Sequence, residues 1–182
     1  TLNHPILNRS SIKIENPDSI EIKQLAKDML VTAQSLEGDS WAGIAAPQVG
    51  NNVRMILYRI PKEMADSTIP NGVPPSCLIN PTWYPLNDEK VAFWEQCVSM
   101  PRYVGKVSRY RNIVVYYQDL QGRDCYIEAH GCHSVVLQHE IDHLDGILYP
   151  QHIKSSINSD NFGLIDDMLE KVKSENLSEK KR

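Results

Sequence analysis

Two histidines, His139 and His143, stand four residues apart in the run Gln138-His139-Glu140-Ile141-Asp142-His143-Leu144. On an α-helix that spacing stacks both imidazoles on one face. The apolar residues around the pair, with Gly146 beyond, predict a helix from about Ser134 to Leu144. Two imidazoles so placed can hold one metal ion at roughly 2.0–2.1 Å per bond. Glu140 projects beside them and can serve a water at that ion as general base. A catalytic site of this kind usually takes a third protein ligand and keeps one position open. Downstream, His152, Asp160, Asp166, Asp167 and Glu170 form no recognisable ligand pattern. Upstream, Cys97 lies in Trp94-Glu95-Gln96-Cys97-Val98-Ser99-Met100-Pro101, between a strand-like stretch and a proline. A thiolate from there makes a Cys-plus-two-His site. Asp142 and Asp145 are placed to orient an imidazole from behind.

The helix needs a core around it, and the chain supplies one. It has 182 residues, 41% hydrophobic and 23% charged, which suits one domain. Nineteen basic and 23 acidic residues give a net charge of −4, against a broad nucleic-acid surface. No stretch approaches the roughly 18 apolar residues of a membrane span. The start, Thr1 to Pro5, has no signal-peptide pattern. Four cysteines are too few for a disulfide scaffold. The expectation is a soluble intracellular protein.

Ile22, Leu25, Ala26, Met29, Leu30, Ala33 and Leu36 recur at helical spacing and predict a helix over 19–37. Asp18 with Glu21 is its expected cap and Gly38 its expected end. Val53–Ile60 reads as a strand, Pro61–Pro75 as a long surface loop, and Cys77–Asn80 as a short strand ended by Pro81. Residues 113–117 and 125–127 flank a turn at 119–122, a β-hairpin pattern. A last helix is expected over 162–173, with 174–182 as a frayed polar tail. The predicted fold is α+β: a single domain (1–173) of short, mostly antiparallel strands around a central metal-binding helix, with an N-terminal and a C-terminal helix.

Three segments in order now carry a resemblance. Gly43-Ile44-Ala45-Ala46-Pro47-Gln48, Glu95-Gln96-Cys97-Val98-Ser99 and Gln138-His139-Glu140-Ile141-Asp142-His143-Leu144-Asp145-Gly146 resemble the three motifs of the peptide deformylases. His4-Pro5-Ile6-Leu7 resembles that family's N-terminal segment, and the likeness spans about 2–150. The resemblance implies removal of the N-formyl group from the formyl-Met of newly made polypeptides. It implies Cys97, His139 and His143 as metal ligands and Glu140 as general base, then acid. Gln48, with the backbone N–H of Val98, is the implied pair of donors to the formyl oxygen. Glu95 and Ser99 would support the cysteine loop. Ala42, Gly43, Ile44 and Gln96 would border the peptide groove, and Cys132, Val135 and Val136 would line the Met pocket. The implied cofactor is one divalent ion, Fe(II) in the cell, with Zn, Ni or Co able to replace it in a purified sample. The implied partners are N-formylmethionyl peptides and the ribosome with its nascent chain, with no specific nucleic acid and no membrane. The implied compartment is a bacterial cytoplasm, or an organelle if a leader has been removed.

Two family glycines are replaced, by Trp41 and by Gln96. Bulk there either points away from substrate or narrows the groove. The second case would leave a metal-binding protein that holds N-terminal peptides with weak or altered turnover. Elsewhere, His130-Gly131-Cys132-His133 fits turn and core roles better than a second metal site. Cys77 and Cys125 are expected as buried thiols in strands. Arg102, Lys106, Arg109 and Arg111 read as a solvated basic face, one of which could pair with Glu95.

Overall fold

The computed structural model describes residues 4–36, 41–153, 157–158 and 160–180, without the side chains of 179 and 180. The first helix, α1 (Ile20–Gln34), buries Ala26, Met29 and Ala33. Its cap is Ser19, whose hydroxyl accepts from the Ile22 N–H at 3.3 Å, in place of the expected Asp18. Gly38, the expected end, lies outside the described residues.

Five antiparallel strands follow one order in space, β1 (Gly43–Ala45), β2 (Met55–Ile60), β3 (Val73–Pro85), β6 (Asn112–Gln118) and β7 (Asp124–His130). β3 overturns the short strand expected at Cys77–Asn80. It runs through Pro81 because the chain inserts one extra residue there: Ile79 pairs with Gln118, but Thr82 pairs with Tyr116. A bulge tolerates a residue with no N–H to donate. Asn80 takes φ +52° in it. Its amide holds both the N–H and the C=O of Ile14, each at 2.8 Å. A second sheet, of β4 (Lys90–Glu95), β5 (Tyr103–Tyr110) and β8 (Phe162–Leu164), has β4 at its edge.

Helix α2 (Gly131–Leu144) starts three residues earlier than its pattern suggests and packs against both sheets. Every residue from Cys132 to Leu144 is buried. A helix covered all round must satisfy its polar side chains internally. Gln138 does so on β5: its Nε2 donates to the Tyr110 carbonyl at 2.8 Å, and its Oε1 accepts from the Tyr110 N–H at 3.1 Å. His133 stacks on Tyr58 at 5.4 Å, and burial lowers its pKa to about 4. His130 thus ends β7 and Gly131–His133 open α2, with Cys132 and His133 buried and outside the gathered Cys97, His139 and His143 group.

The C-terminal helix α3 (Ile165–Lys180) corrects two expectations. Its first three expected residues form β8 instead. Its last turns, read as a frayed tail, are helical through Lys180 because polar side chains dock them. Glu175 accepts from Trp94 Nε1 at 3.0 Å and pairs with Lys106 at 2.5 Å. Met168 and Val172 pack with Trp94 and Val104 beneath. Among the described residues, no helix is long and apolar enough to cross a membrane.

Candidate metal centre

α2 delivers His139 and His143 to the seam between the sheets, with ring centroids 5.0 Å apart. Cys97 comes from the turn after β4, closed by the Met100 N–H donating to the Cys97 carbonyl at 2.8 Å. Its Sγ lies 3.3 Å from His143 Nε2. One donor atom from each of the three falls within 4.8 Å of the others, and all three residues are buried. The downstream candidates are not in this group. His152 binds Asp142 at 2.7 Å instead.

A soft thiolate and two imidazoles are a ligand set for Zn, Fe or Ni, and the electrostatics fit a cation. Burial, with His139 and Arg109 nearby, pulls the His143 pKa well below its ordinary value, so the ring is neutral and free to donate a lone pair. Burial acts the same way on His139, but Cys97 and Glu95 outweigh it and raise that pKa. Ligands bind an ion only in their deprotonated forms, so metal affinity at this site should be pH-dependent.

Behind the ligands stands one buried ion network. His139 Nδ1–H donates to Glu95 Oε2 at 2.8 Å. Arg109 grips Glu95 with Nε at 2.7 Å and Nη2 at 2.9 Å, and its Nη1 reaches Asp142 at 2.5 Å. This corrects two expectations. The residue orienting an imidazole is Glu95, while Asp145 pairs with Arg54 at 2.5 Å. The expected solvated basic face contains the buried Arg109, 3% exposed.

Glu140 lies beside the ligands with its Oε2 buried and unpartnered. Desolvation raises its carboxyl to about 7, the range of a group that both takes and returns a proton. Gly43 makes room for it. A Cβ on Gly43 would sit 2.4 Å from Glu140 Cγ and Cδ, so only glycine lets this carboxylate lie against β1. Gln48 is held by the Ala45 N–H, which donates to its Oε1 at 2.8 Å. Its Nε2 then points at Cys97 Sγ (3.4 Å) and Ser99 Oγ (3.1 Å).

These groups face a cavity of about 660 Å³. Ala42, Gly43, Gln96, Cys132, Val135 and Val136 line it, and so do Gln48 and Val98. Ile44 does not: its side chain is 2% exposed in the core beneath α1. Trp41 borders the cavity, but its indole is 2% exposed and packed into that same core under the Arg59 guanidinium, 4.6 Å from the ring. Gln96 is exposed. Cys77 and Cys125 are in strands, yet both are partly exposed, not buried. The residue pattern missed Phe93, Trp94 and Met64 on the wall and Val172 and Asn176 from α3. Phe93 and Trp94 stand directly before the Glu95–Ser99 segment, while Met64, Val172 and Asn176 come from distant segments with no motif to join them.

Comparison with known proteins agrees with this geometry. A family model described as polypeptide deformylase matches residues 1–159. Peptide deformylase 1 of Bordetella pertussis is 37% identical over 150 residues, 82% of this chain and 83% of that protein. The crystal structure of peptide deformylase from Ehrlichia chaffeensis superposes with TM-score 0.76 at 32% identity, covering 98% of this chain and 95% of that one. The Met-Ala-Ser-bound deformylase of Acinetobacter baumannii gives TM-score 0.72 at 29% identity, covering 83% and 94%. The buried Cys97, His139 and His143 group thus sits in a fold and a sequence shared with these enzymes, and the chain belongs to the peptide deformylase family.

Proposed function

We propose that this protein hydrolyses the formamide of N-formylmethionyl polypeptides, releasing formate and a free α-amine. The observation that carries the reading is the buried Cys97–His139–His143 group beside an unpartnered, buried Glu140, at the wall of a cavity large enough for a Met side chain. An ion held by the three donors supplies Lewis acidity; we take it to be Fe(II) in the cell, with Zn, Ni or Co able to occupy the site in a purified sample. Glu140 takes a proton from the attacking water and passes it to the departing nitrogen. Gln48 Nε2 and the Val98 N–H donate to the formyl oxygen as charge grows on it. Cys132, Val135, Val136 and Phe93 receive the Met side chain. Ala42 and Gly43 on one side, and Gln96 on the other, border the peptide. The formylated terminus of a nascent chain leaving the ribosome is the expected natural substrate.

The burial of the Trp41 indole supports retained turnover over a peptide-binding role without chemistry, because its bulk is absorbed by the core. The deciding assay is hydrolysis of formyl-Met-Ala-Ser by anaerobically purified protein. Background rates with one bound ion per chain would favour the binding role. Two further results are expected. Chelation should abolish turnover and lower the melting temperature, since an ion bound only by the native state stabilises it; re-addition of Fe(II) should restore both. Gly43→Ala should cut kcat roughly 10- to 100-fold with metal retained, because its Cβ pushes the carboxylate out of place. Unchanged kcat in that variant would remove Gly43 from the argument.

A further inference from the structure

Two strand edges border the cavity from opposite sides. β1 is the edge of the five-stranded sheet, and β4 is the edge of the three-stranded one. An extended peptide fits between such edges as an added strand. β4 has an obstacle on its open side. The Trp94 N–H points away from β5 and donates to Asn176 Oδ1 at 3.0 Å, while Asn176 Nδ2 donates to the Trp94 carbonyl at 3.2 Å. The side-chain amide thus makes both bonds that the backbone of a neighbouring strand would make. Gln138 treats Tyr110 in the same way within the core. Asn176 differs in lining the substrate cavity, as does Val172 one turn earlier on α3.

Position along the strand gives this contact a role. Gln96 is exposed and follows directly on β4, two residues beyond Trp94; a strand continued through it would present its peptide groups on the side where Trp94 is occupied. A substrate with its formyl group at Cys97 reaches Gln96 first. Trp94 lies two residues, or about 7 Å, further along. We propose that Asn176 closes the β4 edge at Trp94 and so limits how many substrate residues the groove pairs: a peptide must leave β4 at its third or fourth residue. Asn176 is then a specificity-determining residue, and substrates are read by their first few residues whatever follows. The proposal rests on the peptide-hydrolase reading above and adds a length limit to it.

The test measures kcat and KM for formyl-Met-Ala-Ser and for the same peptide lengthened to six residues. Wild-type protein should show kcat/KM unchanged beyond the third or fourth residue. Asn176→Ala frees both Trp94 groups, so the longer peptides should gain about five- to tenfold in kcat/KM through KM alone, the effect of two modest hydrogen bonds. N-methylation of the fourth and fifth residues should erase the gain. Asn176→Leu, of similar size but without the amide, keeps the edge blocked and should show no gain. Melting temperatures report whether α3 stays docked. The proposal is overturned if Asn176→Ala keeps the wild-type length profile, or if both variants lose formyl-Met-Ala-Ser turnover equally with no change in length dependence. If no formyl peptide is turned over at all, the hydrolase reading fails by itself. Length dependence is then read by calorimetry with Met-Ala-Ser and its six-residue extension, with the same outcomes deciding.

Discussion

Glu140→Ala should lower kcat for formyl-Met-Ala-Ser by about 10²- to 10⁴-fold, the usual worth of a positioned proton-transfer group, with metal content unchanged. Metal is retained because Glu140 is not among the three gathered donors. KM should change little, because the cavity wall that takes the Met side chain is made by other residues. Stability should move the opposite way from activity. In the native protein Glu140 is 5% exposed, its Oε2 has no partner, and desolvation raises its pKa. Burying a carboxyl costs stability, so removing it should leave the melting temperature equal or higher. Glu140→Gln keeps the shape against Gly43 but cannot carry a proton, and should be as slow as the alanine variant. Rates near wild type in either variant would refute the assignment of the base.

The sequence made one half of this site readable and concealed the other half, for a physical reason. His139, Glu140 and His143 are legible because one helix face brings them together, so their geometry is a matter of spacing. Cys97 lies 42 residues earlier, and only its setting between Glu95 and Ser99 marked it out. On β5 the sequence offered a basic run and a possible partner for Glu95, but not which residue pairs or that it does so buried. The strand's inward face carries Gly105, Val107 and Arg109, and a buried arginine reads as a solvent-facing one. What makes Arg109 tolerable inside is Glu95 from β4, the partner expected for one residue of the basic run, and Asp142 from α2, which nothing in that run suggests.

The same blindness affected the C-terminus. Ser174–Lys180 is too polar to suggest docking, yet Glu175 and Asn176 anchor it on Trp94 through hydrogen bonds instead of apolar area. β3 crosses Pro81 for a comparable reason, since Asn80 binds a distant loop at Ile14. Elements held by their own periodicity were found; those held by polar contacts with remote segments were not.

Arg109→Met should destabilise the protein by about 3–5 kcal/mol, the cost of stranding buried charges once their partner is gone. Glu95 and Asp142 would both be left inside, with side chains 4% and 10% exposed. The pH dependence follows from the sign of the shift. Burial raises the Glu95 carboxyl, but Arg109 outweighs it and holds the group near 2, below its ordinary 4.5. A depressed native pKa contributes stability that is fully present above 4.5 and lost as pH falls toward 2. Without Arg109 the depression disappears, so the variant should lose much less stability over that interval. The ligand side is affected too. Glu95 fixes the His139 ring through Nδ1, and loosening such a partner typically costs 10- to 100-fold in metal affinity. Adding Glu95→Gln to Arg109→Met separates the causes. A neutral amide removes one stranded charge, so the double variant should recover at least about 1 kcal/mol over the single one. Metal affinity should not recover, because the amide is a weaker acceptor for the His139 N–H. Urea unfolding across pH, with metal titration of each variant, checks all three statements. An Arg109→Met variant within about 0.5 kcal/mol of wild type, the range of an ordinary surface change, would mean that the network behind the ligands is not what holds them.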